Sequence, residues 1–344
     1  MDIQKANPES LPSADQVLLD KISSELGGNV LSTHELSAGM NNRLFEIETD
    51  DGKYLLKKYQ RDERERLERE YRALSFLRDH GFDNVPRPVL RGDDDYVAVY
   101  SYEAGNSKLA SEATLDDIDN VLDFVIELQS FKSGNIETEF PPAVMGCFSL
   151  KDYIRNIDFR FGKFLECIND PNVHPLIKDL AESTKVVEYM TEHRNQLLER
   201  VESLHDQNVS DTEKRLSPVD FGFHNIIVKE DGGFCFVDFE YFGWDDPQAI
   251  IADFVNHDAQ QKLPSSHKEH FITEYIRRAN LSKDQAGRLN LVLDLKNLEW
   301  LSIYLYGMTP DRLASRAHAD VDFDLEKALQ APIDKVRSRY FNQS

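Results

Sequence analysis

Asp220, Asn225 and Asp238 carry oxygen-bearing side chains at spacings of five and thirteen residues. They sit in the runs Leu216-Ser-Pro-Val-Asp220-Phe-Gly-Phe-His-Asn225 and Phe234-Cys-Phe-Val-Asp238-Phe-Glu240. Asp and Asn oxygens suit a hard cation such as Mg2+, and a carboxylate can also accept the proton of an alcohol. The chain between them must bring them together. Ile226, Ile227 and Val228 form a short β-branched run, Glu230-Asp231-Gly232-Gly233 supplies turn residues, and Phe234 to Val237 is a second apolar run. This pattern predicts a β-hairpin with all three side chains at one end.

Two further charged groups stand at positions where burial would demand a partner. In Tyr54-Leu-Leu-Lys57-Lys58-Tyr59, strand alternation puts Lys57 on the face of Leu55 and Tyr59, so Lys57 points inward and Lys58 to solvent. A lysine snorkelling from an edge strand is the alternative. Between Asp62 and His80, Leu67, Tyr71, Leu74 and Leu77 mark one apolar face of a helix. Glu70 falls on that face, where a carboxylate needs a cation.

The order and spacing of these groups resemble the protein-kinase-like superfamily, and within it the aminoglycoside phosphotransferase and choline kinase branch. Its metal loop reads Asp-Phe-Glu or Asp-Trp-Glu, as in Asp238-Phe239-Glu240 here, and Asp253-Phe-Val-Asn256-His257 is similar to choline kinases. The resemblance implies an α+β, two-lobed fold: a small lobe with an antiparallel sheet and one helix, over residues 1–103, and a mainly helical large lobe with the catalytic hairpin, over 104–344. It implies ATP and Mg2+ as cofactors. Asp220 would be the catalytic base, and Asn225 and Asp238 the metal ligands. Lys57, paired with Glu70, would bind the phosphates. The loop Ser37-Ala-Gly39-Met-Asn41-Asn42-Arg43 would cover them through Gly39, Asn41 and Asn42, and the backbone around Tyr100 to Tyr102 would meet the adenine. Asp253 would brace the catalytic loop.

One position departs from the family. Its His two residues before the catalytic Asp is replaced by Pro218, which fixes a backbone dihedral instead of donating a hydrogen bond. The departure motivates a second reading, a nucleotide-binding scaffold without catalysis. The first reading is a small-molecule kinase acting on a hydroxyl of a sugar, aminosugar or amino alcohol, and an aminoglycoside-modifying enzyme is a third. Glu240, Tyr241, Trp244 and Asp245 lie where family members form part of the acceptor side; core packing is the competing assignment for the aromatics.

Composition narrows the partners. The 344 residues include 40 basic and 62 acidic ones, a net charge of −22, which argues against a nucleic-acid partner. The acidity fits either solubility or a preference for a cationic substrate. Three well-separated cysteines, Cys147, Cys167 and Cys235, suggest no disulfide framework. Ten scattered histidines show no zinc spacing, and His267 and His270 lack a third ligand. No membrane-spanning run or signal peptide is seen, so a cytoplasmic protein with no membrane partner is expected; the oligomeric state stays open. Residues 1 to about 10 read as disordered. Helices are expected over Ser13 to Leu26, Asp116 to Phe131, Ser149 to Leu165 (with Asp152 completing a capping box), Val186 to Leu204, after Asp246-Pro247, and over Leu289 to Tyr306.

Overall fold

The computed structural model describes residues 16–36, 42–134, 136, 139–204, 208–319 and 323–341. Its first part is a five-stranded antiparallel sheet with a helix on each face. α1 (Gln16–Leu26) leads into β1 (Val30–Leu36), β2 (Arg43–Thr49) and β3 (Gly52–Lys58), followed by α2 (Arg66–Asp79), β4 (Pro88–Gly92) and β5 (Val97–Ser101). The strand order is β1-β2-β3-β5-β4. Alternation builds the layers: Phe45 and Ile47 of β2, Leu56 of β3, and Val97 and Val99 of β5 pack beneath Leu18, Leu19 and Ile22 of α1. Lys57 and Ala98, next in register, face the side covered by α2, where Leu67, Leu74 and Leu77 are buried.

Residues 102–105 carry the chain onward to β6 (Asn106–Ser107). Gly105 has φ +155, and a Cβ there would fall 2.4 Å from the carbonyl oxygen of Val228. Only glycine lets this connection lie against the hairpin.

The second part is mainly helical. α3 (Leu115–Leu128), α4 (Leu150–Ile168), α5 (Pro175–Thr184) and α6 (Val186–Ser203) precede β7 (Arg215–Ser217), β8 (Ile226–Val228), β9 (Phe234–Phe236) and β10 (Gly243–Asp245). α7 (Ala249–Asn256), α8 (Ser265–Arg278), α9 (Lys283–Tyr306), α10 (Pro310–Ala319) and α11 (Leu325–Val336) follow, and a π-turn over Arg337–Phe341 ends the described chain. Helix α9 is buried on several faces through Leu289, Val292, Leu295, Leu298, Leu301 and Leu305, because α4 and α7 pack on it. Ser282 and Gln285 form its capping box.

Two expected helix starts differ in detail. Asp152 accepts from Phe148 N–H at 2.9 Å and from the Ser149 hydroxyl at 3.0 Å, so it caps one residue further back than the expected box. Helix α7 begins at Ala249, and the Asp246 carboxylate accepts from Gln248 N–H at 2.9 Å, a turn before the helix instead of its cap. Among the described residues no helix is long and apolar enough to cross a membrane.

Candidate active site

The expected hairpin forms between β8 and β9, with Ile226 opposite Phe236 and Val228 opposite Phe234. A second small ladder, β7 with β10, pairs Ser217 with Gly243 and Trp244 with Leu216. Together they clasp the two loops at 218–225 and 237–242. Val237 N–H donates to Asn225 O at 3.0 Å, and Asn225 Nδ2 donates to Asp220 O at 2.9 Å, so hydrogen bonds join Asp220 to Asn225 and Asn225 to the residue before Asp238. Two non-glycine residues in these loops have left-handed backbones, Val219 at φ 69 and Asp238 at φ 67. A β-branched residue there is strained by about 1–2 kcal/mol, and the strain sits directly before Asp220. The loops hold it because Phe221, Phe223, Phe239 and Phe242 are buried between them.

Asp220 Oδ1 lies 2.8 Å from both His224 Nε2 and His257 Nε2. Burial alone would raise its carboxyl, but the hydrogen bonds from the two histidines hold it far below the ordinary aspartate value. A Cβ on Gly222 would fall 2.1 Å from Gln260 Nε2, the tip of a flexible side chain. The Gln260 amide is fully buried beneath it.

On the other side of the hairpin, Lys57 Nζ lies 2.7 Å from Glu70 Oε2, 2.7 Å from Asp238 Oδ1 and 3.6 Å from Glu240 Oε2. Burial works against the ammonium, yet Asp238, Glu70 and Glu240 outweigh it and raise Lys57 well above the usual lysine value. Lys58, by contrast, is half-buried on the opposite face. Tyr59 donates to Glu70 Oε2 at 2.8 Å, and Phe239 N–H reaches Glu70 Oε1 at 3.3 Å. The Tyr100 hydroxyl turns inward to Tyr59 at 2.7 Å. Its backbone lies between β3 and β4, opposite Leu55 and Pro88. Tyr102 is half-buried, with Lys53 over its ring at 5.7 Å. Gly39 and Asn41 lie outside the described residues. Asn42 donates through Nδ2 to Glu240 Oε2.

The acceptor-side expectations land elsewhere. Glu240 is buried on the lysine side, bonded to Asn42 and 3.5 Å from Arg66 Nη1. Tyr241 faces Arg64 and Arg66, whose guanidinium carbons lie 5.8 and 5.6 Å from its ring centre. Trp244 is buried within the β7–β10 ladder. Asp245 accepts from the N–H groups of Cys147 and Asp246, both at 2.8 Å. These four do not form one surface, because two lie in the core and two pair with the protein's own cations or loop. Asp253 is buried 3.9 Å from Lys296 Nζ, and its carbonyl accepts from His257 N–H at 2.7 Å.

Sequence reasoning missed His224, His257, Arg66 and Trp300. His224 adjoins Asn225, and its place on the loop was a usable signal. His257 reaches Asp220 from the end of α7, and Trp300 packs edge-on against it at 4.6 Å between ring centres. Arg66 is 2% exposed with Nε and Nη1 unbonded among the described residues.

The donor set suits a divalent hard cation. Glu70, Asp238 and Glu240 offer oxygens within 4.8 Å of one another. Lys57 stands among all three and Arg66 beside Glu240, so a cation with oxygen preference would share these oxygens with the two side chains.

The sequence matches the phosphotransferase enzyme family over residues 32–279. No curated protein sequence matches it. Among solved structures, spectinomycin phosphotransferase APH(9)-Ia with ADP and spectinomycin is 10% identical, with a TM-score of 0.65 covering 92% of this chain and 98% of that one. Choline kinase LicA from Streptococcus pneumoniae is 18% identical, with a TM-score of 0.56 covering 95% and 100%. The aminoglycoside phosphotransferase APH(2")-IIa in its streptomycin–ATP complex is 14% identical, with a TM-score of 0.56 covering 94% and 99%. These identities speak to the fold, which is the two-lobed kinase-like one. With the family match spanning more than half its length, the chain belongs to the phosphotransferase enzyme family.

Proposed function

We propose that this protein is a small-molecule kinase that transfers the γ-phosphoryl group of ATP to a hydroxyl of a polar metabolite. The observation that carries the reading is the placement of Lys57, Glu70 and Asp238 at one side of a hairpin whose preceding loop presents Asp220. A phosphate clamp and an alcohol-accepting carboxylate are what phosphoryl transfer needs. Asn225 and Asp238 would hold Mg2+, with Glu240 nearby; the ion would neutralise charge on the β and γ phosphates.

In the reaction the acceptor oxygen forms a bond to the γ phosphorus as the bond to the β–γ bridging oxygen breaks, and ADP leaves with that electron pair. Asp220 receives the hydroxyl hydrogen bond. Because its carboxyl is held so low, Asp220 is a weak base. Its part is to orient the alcohol early and to take the proton late, once the oxygen has become acidic through bonding to phosphorus; a loose transition state requires no more. Lys57, kept charged and aimed by Glu70, stabilises the phosphate oxygens.

Support for the acceptor class comes from two directions. The solved relatives were crystallised with polyhydroxylated or amine-bearing compounds, spectinomycin and streptomycin. The net charge of −22 also favours approach of a cation. The test is a screen of amino alcohols, aminosugars, sugars and aminoglycosides with Mg2+ and ATP, reading the phosphorylated product by mass. A product in one class supports the kinase; nucleotide binding with no product from any class supports the scaffold reading.

A further inference from the structure

His224 Nε2 and His257 Nε2 both point at a single atom, Asp220 Oδ1, each at 2.8 Å. The rings lie one over the other, 11° from parallel with centres 4.4 Å apart. An ionised carboxylate only accepts, so both nitrogens carry hydrogens there. For His257 the far side of the ring fixes this independently. Its Nδ1 accepts from Ala259 N–H at 3.1 Å, which places the hydrogen of the neutral ring on Nε2. That amide belongs to the 3₁₀ turn Asp258–Gln260 directly after α7, so the tautomer is set by backbone. Trp300 closes the flank of the ring. Among the described residues nothing bonds Asp220 Oδ2.

We infer that His257 is a positioning residue for phosphoryl transfer, acting through Asp220. The inference rests on Asp220 being the carboxylate that receives the acceptor hydroxyl. A free aspartate carboxylate is a broad, two-fold rotor about its last torsion. Two N–H donors on one oxygen stop that rotation and leave Oδ2 as the face open to the alcohol. The two histidines are not equivalent. His224 rides on the same loop as Asp220 and is exposed, so it moves with the carboxylate. His257 comes from the end of a buried helix and ties the carboxylate to the body of the large lobe. Holding the reacting geometry this way acts on the chemical step and not on nucleotide binding.

Two measurements test it. In protein labelled with 15N-histidine, imidazole proton–nitrogen correlation should show His257 as the Nε2–H tautomer, with that proton slow to exchange and its signal moved by Asp220→Asn. A His257 ring in the Nδ1–H form, or one indifferent to Asp220→Asn, overturns the inference. Kinetically, His257→Phe keeps packing on Trp300 without the donor, and His257→Gln keeps an N–H of similar reach. With the acceptor that gives product in the screen, His257→Phe should lower kcat roughly 10- to 100-fold with KM for ATP within about twofold, and His257→Gln should recover part of it. Equal losses in both variants, with KM for ATP rising in step, would mean a structural role only and overturn it. Turnover that survives Asp220→Asn would remove the catalytic reading of Asp220 while the ring spectrum stayed as expected, so the two failures are told apart.

Discussion

Lys57 Nζ stands 2.7 Å from Asp238 Oδ1, joining a central strand of the five-stranded sheet to the segment that leaves the β8–β9 hairpin. The lysine thus occupies the carboxylate proposed to bind Mg2+; on that proposal, Lys57 would turn to phosphate and Asp238 to the cation when nucleotide binds. Removing Lys57 should therefore strike the use of ATP. A charge-assisted bond to phosphate contributes about 2–3 kcal/mol, which is roughly a 30- to 150-fold loss in kcat/KM for ATP. Lys57→Ala is expected to show that loss, and Lys58→Ala, on the other strand face, to stay within about threefold. Steady-state kinetics in ATP distinguishes them, and equal effects would undo the assignment.

Arg66 is the least solvated cation of the site, 3.3 Å from Asp62 and 3.5 Å from Glu240. Its substitution by Met keeps the packing but leaves Glu240 buried without its guanidinium. Breaking a buried pair from one side costs about 3–5 kcal/mol. Urea unfolding of Arg66→Met should show a loss of that order, and Arg66→Met combined with Glu240→Gln a smaller one. A double variant as unstable as the sum of the singles would mean the two do not act as a pair.

A Cβ on Gly222 would meet the amide at the tip of the Gln260 side chain. Gly222→Ala should displace that buried amide or the 3₁₀ turn that carries it, at a cost of about 1–3 kcal/mol. Since that turn also carries the Ala259 amide bound to His257, the same variant should lose turnover beyond what its lowered stability explains, measured well below its melting temperature.

Asp245 gives a pH dependence with a definite sign. Burial, opposed by Lys296 and by backbone N–H donors, pushes its carboxyl up to about 7. An unfolded aspartate titrates near about 4. Between those values the unfolded chain has released a proton that the native protein keeps, so stability falls as pH rises and levels off above about 7. The effect is on the order of 3–4 kcal/mol. Asp245→Asn, which can still accept both N–H bonds, should match the parent protein near pH 4 and exceed it in stability above pH 7. Denaturation midpoints that differ by a constant across this range would contradict the shift.

How far the sequence could be read follows from the range of each contact. Lys57 and Glu70 were legible because strand alternation and helix periodicity each placed a charge on an apolar face. The hairpin was legible because its turn residues and β-branched runs are local. Arg66 was hidden in a stretch dense with exposed Arg and Glu, where no pattern marks the one that is buried. His257 lies 37 residues beyond Asp220 in sequence, and only the packing of α7 against the loop brings them together. Trp244 and Asp245 are placed on the acceptor side by family resemblance, from their position after the metal loop; β10 is three residues long, too short for alternation to show that it pairs with β7. Beside Pro218, which donates nothing, Asp220 is met by His224 from its own loop and by His257 from the end of α7; only the first of these could be read locally.

The most direct measurement is transfer of the γ-phosphoryl group from ATP to the acceptor found by the screen, with Mg2+, comparing the parent protein with Asp220→Asn. Asparagine keeps the size and the loop contacts but cannot take the proton, so product formation should fall by about 100-fold or more, with ATP binding retained. Product formation by Asp220→Asn at the parent rate would contradict the account.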